Sequence, residues 1–431
     1  MSGLLKFLKS SKQRLASLLQ SAPTHPRHRI TLVLGNEAAD LDSLVSSLSY
    51  AYLLHHKHQH SAGLPLTPLA PRTASVLDPL YVPVVNIPRQ DFSLRTDCVY
   101  ALKHALGSVS ASSTALVDDL TFLSDLGLDA LERNHDLELV LTDHNRISPQ
   151  LEKYSKYVTG IIDHHFDDGL YPSASPRTIE LVGSATSLVV REWRSYASSL
   201  DSEPIDPALA ELLLCPILLD TINLDPKFGR VTPVDQQAAE SLLQIIGGAK
   251  PGTDLQAYAS TIFGGLQAAK FSVSDLSSWD LLRKDYKEWV MEGFRVGISS
   301  VTWYLEGPGG WIERDGLESV ARSLEAFGED RQLDLLVVMA AFDHASDFAD
   351  SQQADRGFNR ELAVHVPAGQ RLSSTSVQSR LFGVLEGSSA LGLEPSQHER
   401  VLSMRLYSRM DAKYSRKQFQ PLLNDMLRDN K

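Results

Sequence analysis

Three short apolar runs dominate the first half of this 431-residue chain, and each breaks off abruptly into aspartate and histidine. They read ITLVLGNEAAD from Ile30, LELVLTDHN ending at Asn145, and VTGIIDHHFDDG ending at Gly169. Runs so short and so apolar are buried strands, and the stretch at 44–54 between the first two has helical spacing. Buried strands alternating with helices imply an α/β fold, a mostly parallel sheet flanked by helices. In open sheets of this kind the ligand site lies beyond the carboxyl ends of the strands. That is where each run puts its acids and imidazoles.

The chemistry of those ends is restrictive. Asp40 and Asp42 follow the Gly35-Asn36 turn two residues apart. They are either a helix N-cap with a first-turn acid or ligands to two different metal ions. Asp143-His144-Asn145 and Asp163-His164-His165 end the next two runs. A fourth segment, 210–224, reads as a helix ending in Leu-Leu-Asp220-Thr221, so Asp220 is partly buried and needs a partner. Hard divalent cations prefer carboxylates, and imidazole adds affinity for manganese-like ions. The four segments together point to a metal site. The tract His55-His56-Lys57-His58-Gln59-His60 is expected to end its helix and run into a surface loop, where imidazoles complement the helix dipole. Two cysteines, Cys98 and Cys215, are too few for a disulfide scaffold and read as buried apolar side chains of a reducing compartment. Neither a P-loop, a GxSxG elbow nor a CxxC pair is present.

The ordered set GNEAADLDS, TDHN, IIDHHFD and LLDT resembles the DHH phosphoesterase superfamily. The later LLRKDYK and YSRKQ resemble its C-terminal DHHA2-type domain, as in family II pyrophosphatases and fungal exopolyphosphatases. With IPRQDFSLRTD at 87–97 and GSATSL at 183–188, the resemblance is closest to the eukaryotic cytosolic exopolyphosphatase branch, and it spans roughly residues 30–430. It implies a smaller α/β C-terminal domain, with the active site in the cleft between the two domains. It implies Asp40 on the first metal, Asp42 on the second, Asp143 bridging, and His164 and Asp220 completing the set of ligands to the second metal. The cofactors implied are two divalent ions, Mg²⁺ or Mn²⁺, with Co²⁺ as a further candidate. Asn36 stands where family II pyrophosphatases have histidine. This makes the first site oxygen-rich and shifts its preference toward Mg²⁺, or else leaves Asn36 as a hydrogen-bonder to a ligand or to substrate. Prune-type relatives carry arginine at the position of His165, so this histidine favours polyphosphate chemistry. His165 is expected to contact phosphate, and His144 is either near the phosphate or a supporting residue.

The same resemblance implies that Lys287, Arg416 and Lys417 bind phosphate, with Lys284, Arg89 and Arg95 as further contacts to a longer chain. Arginine can clamp phosphate oxygens with two parallel hydrogen bonds, and lysine acts as a point charge. The expected activity is metal-dependent hydrolysis of the terminal phosphoanhydride of inorganic polyphosphate, releasing orthophosphate. The alternatives are an inorganic pyrophosphatase, a prune-like nucleotide phosphodiesterase, and a scaffold that kept the fold without the activity.

Three regions are expected: a basic helical extension over 1–29, the metal-binding domain over 30–250, and the substrate-binding domain over 251–431. GGAKPG at 247–252 marks a linker near 247–260. Beyond it, 272–289 is expected to be helical in its second part, including LLRKDYKEW, with strands at 294–301 and 333–341. The 41 basic and 53 acidic residues give a net charge of −12, which alone argues against a polyanionic partner and against nucleic acid. The charge is strongly polarised, however. The first 36 residues hold six Lys or Arg and no acid, and residues 401–431 hold seven Lys or Arg against three Asp. The N-terminal segment has leucines at helical spacing. It is either a mitochondrial presequence or membrane-surface helix, or a helix docking its leucines on the protein of a cytoplasmic enzyme. No apolar run approaches the ~18 residues of a membrane span.

Overall fold

The structure, a computed structural model, describes residues 2–20, 27–63, 78–107, 117–201, 203–274, 276–343, 358–396, 398 and 404–428, with the side chains at 149, 271, 343, 375 and 417 outside that description. The chain divides into two compact units, Met1–Lys270 and Phe271–Lys431.

In the first unit a five-stranded sheet has the order β2-β1-β3-β4-β5, and every neighbouring pair is parallel. The strands are β1 (Arg29–Leu34), β2 (Leu80–Val84), β3 (Asp136–Thr142), β4 (Val158–Asp163) and β5 (Arg177–Ile179). The three apolar runs become β1, β3 and β4, because Val, Ile and Leu on both faces suit a sheet covered on both sides. Helix α1 (Gly3–Gln20) buries Leu4, Phe7, Leu8 and Leu15. Two of its cations are also engaged: Lys12 donates to the Leu120 carbonyl at 2.8 Å and Arg14 to that of Asp78 at 3.0 Å. The docked alternative is thus the arrangement observed. No described helix is long and apolar enough to cross a membrane.

Helix α2 (Leu41–Ser61) carries the first motif and ends with the histidine tract as expected, His58 and His60 lying in its last turn. His56 is buried, 4.5 Å from the Tyr52 ring and 5.5 Å from that of Trp193. The tract is thus a helix end, and aromatic packing buries His56 within it. The remaining helices of the unit are α3 (Thr96–Leu106), α4 (Leu128–Asn134), α5 (Ala185–Ala197), α6 (Pro207–Asp220), α7 (Pro233–Ala249) and α8 (Leu255–Phe271). In α6, leucines occupy every side of the helix and are buried throughout, which makes it the centre of the core. Cys98 and Cys215 are buried and free.

The expected linker is not a linker. Gly247 and Gly248 lie in the last turn of α7, only a short turn precedes α8, and the units divide at Lys270. Gly247 packs against Leu255, where an added Cβ would come within 3.1 Å of the leucine methyl. Gly247 thus serves close helix packing, whereas a Cβ on Gly248 would meet nothing within 4 Å.

The second unit has a six-stranded sheet ordered β10-β11-β9-β8-β7-β6. Its strands are β6 (Tyr286–Met291), β7 (Phe294–Val301), β8 (Leu335–Asp343), β9 (Phe358–His365), β10 (Glu394–Pro395) and β11 (Met404–Arg409). Only the β7–β8 pair is parallel. Its helices are α9 (Ser278–Lys284), α10 (Trp311–Asp315), α11 (Leu317–Asp330), α12 (Thr375–Gly387) and α13 (Arg416–Arg428). LLRKDYKEW is corrected here: helix α9 ends at Lys284, and Tyr286 onward forms the edge strand β6. The charged, largely exposed face of an edge strand mimics a polar helix face in sequence.

Candidate metal centre

Asp40, Asp42, Asp143, His164, His165 and Asp220 line one cavity of about 400 Å³ in the first unit. Three of the elements that supply them are strand ends. After β1 the chain turns through Gly35, which packs so closely that a Cβ would lie 2.8 Å from the Ser43 carbonyl oxygen. Asp40 then caps α2, accepting from the Ser43 amide at 3.1 Å, and Asp42 enters the first turn. The pair thus begins the helix and lines the cavity at once. After β3, Asp143 adopts φ +64°, a left-handed conformation that aspartate tolerates better than most residues. That turn directs its carboxylate into the cavity.

The Asp143 carboxylate has two different sides. Oδ2 accepts from Asn36 Nδ2 at 2.8 Å and from Ser43 Oγ at 2.6 Å, whereas Oδ1 lies 3.1 Å from His164 Nε2. Asn36 is thus a hydrogen-bond partner of Asp143 and does not itself line the cavity. The other nitrogen of His164, Nδ1, is 3.0 Å from the Val182 carbonyl oxygen, which fixes that nitrogen as donor and leaves Nε2 free for the cavity. Ligand atoms of Asp143, His164 and His165 fall within 4.8 Å of one another. Asp42 Oδ2 is 3.7 Å from His164 Nε2.

Asp42 sits in a cage invisible in the motif itself. Oδ1 accepts from Ser184 Oγ at 2.7 Å, Thr186 N at 2.8 Å and Thr186 Oγ1 at 2.6 Å, and Oδ2 accepts from Ala185 N at 2.6 Å. The N-terminus of α5 thereby holds the carboxylate, where its unsatisfied amides and dipole favour negative charge. The cage is braced in turn by Asp235, wholly buried, which accepts from Gly183 N at 2.9 Å, Ser187 Oγ at 2.6 Å and Thr232 N at 2.8 Å. Asp220 receives no hydrogen bond from a described residue. It is followed by three consecutive left-handed residues, Ile222, Asn223 and Leu224, at φ +53°, +57° and +59°.

Buried acids crowd one another here. Burial, together with the charge of Asp42, pushes Asp143 up to about 7. Burial lifts Asp220 well above the carboxylate range, with Asp42 and Asp40 adding to it, and burial also raises Asp40. For His164 burial acts downward, but the hydrogen bond to Asp143 and the charge of Asp42 outweigh it and raise the imidazole to about 10. Four converging carboxylates short of positive charge are a donor set suited to hard divalent cations.

His165 projects outward, its side chain 56% exposed, with Nδ1 held 2.8 Å from Asp163 Oδ1. Asp163 is fully buried and also accepts from Asn145 Nδ2 at 2.5 Å, so it orients His165 and stays out of the cavity lining. His144 turns back onto the Thr142 carbonyl oxygen at 3.0 Å and does not line the cavity. Arg89 is bound to the Val117 and Leu120 carbonyls and to Asp125, and stacks on Phe122 at 4.4 Å. Its expected contact with a phosphate chain is replaced by this structural role.

In the second unit, Arg416 donates to the Asp285 carbonyl and carboxylate, both at 2.7 Å. RKDYK and SRKQ, 131 residues apart, are thus brought together. Lys287 is exposed on β6. The Lys417 side chain lies outside the described residues. Sequence reasoning saw Asp163 but not that it orients His165, and it missed Asp235, Arg230 and the Asp42 cage. GSATSL was visible as a motif, but nothing in it announces its partner 142 residues away.

Comparison with known proteins agrees with this division. A family model described as "DHH family, N-terminal domain" matches residues 30–217, and one described as "DHHA2 domain" matches residues 265–426. A Rattus norvegicus protein named "Exopolyphosphatase PRUNE1" is 30% identical over 96% of this chain and 77% of its own length. A Schizosaccharomyces pombe protein named "Putative exopolyphosphatase" is 30% identical over 98% of both chains. A Lactococcus lactis protein named "Probable manganese-dependent inorganic pyrophosphatase" is 23% identical over 63% of this chain and 70% of its own.

Proposed function

Because the chain belongs to the DHH family, as a member with a C-terminal DHHA2 domain and exopolyphosphatase-named relatives along nearly its whole length, we propose that it is an exopolyphosphatase. It hydrolyses the terminal phosphoanhydride of inorganic polyphosphate and releases orthophosphate. The observation that carries the reading is the convergence of Asp40, Asp42, Asp143, Asp220, His164 and His165 on one cavity at the carboxyl end of a parallel sheet.

Asp40, Asp42, Asp143, His164 and Asp220 hold two divalent cations, Mg²⁺ or Mn²⁺. Such ions, when bound, lower the pKa of a coordinated water and offset phosphate charge. The chain's own residues supply the rest. Asn36 and Ser43 fix Asp143 so that Oδ1 is the atom presented to the cavity. Asp163 raises the basicity of His165 through its hydrogen bond and fixes the ring, leaving Nε2 to donate to a phosphate oxygen as negative charge moves onto the departing chain. Polyphosphate leaves as a stable anion, so the reaction depends little on a strong general acid. Lys287, Arg416 and Lys417 are the phosphate-binding cations of the second unit. A cytoplasmic location accords with an N-terminal helix whose leucines pack on the first unit.

Phosphate release from long-chain polyphosphate, pyrophosphate and ATP, each with Mg²⁺ and with Mn²⁺, tests the proposal. Turnover of polyphosphate well above the other two is expected. Faster turnover of pyrophosphate or ATP would replace it with the corresponding alternative, and no turnover of any would leave a scaffold.

A further inference from the structure

Arg230 is the only permanent cation among the described residues lining the metal cavity. Its guanidinium makes no hydrogen bond or ion pair with a described residue. The contrast within the unit is sharp. Arg146, Arg177, Arg191 and Arg194 each grip a carboxylate, with N–O distances of 2.5–2.6 Å. Arg230 faces a cavity containing four carboxylates and pairs with none of them.

Its side chain is exposed, but the backbone that carries it is fixed. Its backbone is pinned: a Cβ on Gly183 would lie 2.7 Å from the Arg230 carbonyl oxygen, so the two segments touch without room for a methyl group. Gly183 adjoins Ser184, which holds Asp42. One end of the Arg230 loop is fixed by the Asn223 amide on the Leu218 carbonyl at 2.7 Å and the Leu224 amide on Thr221 Oγ1 at 3.1 Å. The other end is fixed by Thr232, whose amide and hydroxyl both donate to Asp235, at 2.8 and 2.7 Å. The brace that positions Asp42 thus also positions Arg230.

Resting on the exopolyphosphatase reading, we infer that Arg230 is a substrate-binding residue of the first unit, clamping non-bridging oxygens at the end of the polyphosphate chain that enters the metal cavity. A planar, always-charged fork carried on a fixed backbone beside the metal ligands suits bidentate recognition of phosphate. Because Arg230 shares the cavity with those ligands, it reads the end of the chain and not its length.

The test uses the full chain with Arg230→Gln and Arg230→Lys. Initial rates on tripolyphosphate and on long-chain polyphosphate give KM and kcat, and calorimetry gives the Mn²⁺ affinity of the free enzyme. Loss of a charge-assisted bidentate contact is expected to raise KM about 10- to 100-fold for Arg230→Gln. The factor should be the same for both substrates, with kcat changed less than about three-fold and Mn²⁺ affinity unmoved. Arg230→Lys should recover part of the loss. An unchanged KM, or a KM rise matched by weaker Mn²⁺ binding, overturns the assignment. A rise confined to long chains overturns end recognition. Should the unaltered protein release no phosphate from polyphosphate, the exopolyphosphatase reading fails separately. Pyrophosphate binding to the Mn²⁺-loaded protein then decides Arg230 on its own, equal affinity with and without the guanidinium overturning it.

Discussion

Two groups of acids, one in each unit, are treated in opposite ways. In the second, Asp334 is almost fully buried, accepts from the Arg295 amide at 2.8 Å and is gripped by the Arg371 guanidinium. Glu325 meets the buried His365 at 2.7 Å. In the first, Asp40, Asp42, Asp143 and Asp220 converge with too little positive charge to balance them, and burial raises three of the four. Paired acids hold a fold together. Acids gathered without counter-charge are costly unless something cationic arrives, so the imbalance itself marks the working site.

Substituting an acid in each unit puts that contrast to its hardest test. Asp143→Asn should lower phosphate release by about 1000-fold or more. Its metal-free melting temperature should stay the same or rise, since one mutually repelling charge is gone. A melting temperature several degrees lower would show that Asp143 stabilises the fold instead. Asp334→Asn should do the reverse, costing about 1–3 kcal/mol in denaturant unfolding with Mn²⁺ affinity unchanged.

Acidity should separate the units by sign. Burial depresses His55 and His56 from 6.5 to about 4; the neighbouring His56, Arg14 and His58 add to it at His55, whereas Asp206 opposes it at His56. Their folded pKa lies below the unfolded one, so the stability they permit is complete above pH 6.5 and lost as pH falls toward 4, by roughly 2 kcal/mol each. In the second unit burial raises Glu361 to about 8, although the Leu305 and Glu306 amides donate to it and act downward. The folded state there holds a proton that the unfolded state has released. Stability therefore falls as pH rises from about 5 to 8, on the order of 2 kcal/mol. Hydrogen exchange of β1 and β9 amides across pH 4–8 should show opposite trends, and Glu361→Gln should flatten the second. Parallel trends would break the distinction.

Glycines provide the mildest comparison. A Cβ on Gly183 would come within 2.5 Å of Thr221 Cγ2 and 2.9 Å of Asp235 Oδ2, whereas one on Gly383 in α12 would meet nothing within 4 Å. Gly183→Ala should destabilise by about 1–3 kcal/mol and weaken Mn²⁺ binding by displacing the Asp42 cage. Gly383→Ala should stabilise by up to about 1 kcal/mol through helix propensity. Thermal melts and calorimetric Mn²⁺ titration read both.

How legible was this in the residues? The parallel sheet and the position of the acids followed from apolar runs ending at Asp143 and Asp163, because strand burial and site placement are both local signals. The Asp42 cage and the Asp235 brace were not legible: serine and threonine form hydrogen bonds anywhere on a surface, and only the fold selects Ser184 and Thr186. Edge strand β6 was misread because Lys287 and Glu288 face solvent, hiding the two-residue period. The break at 247–252 was misread because glycine signals both flexibility and close packing.

The left-handed run Ile222–Asn223–Leu224 has a consequence for engineering. For most of a chain, replacing a side chain with glycine loosens the fold. Here the backbone already follows the mirror-image geometry that L-residues resist at roughly 1–2 kcal/mol each. Ile222→Gly would exchange this strain for chain entropy. A D-amino acid introduced by chemical ligation would relieve the strain while retaining a side chain, and the same swap in the right-handed α6 just before it would be disruptive. A single residue's handedness, with composition held constant, could thus tune the stiffness of the segment leading from Asp220 to Arg230.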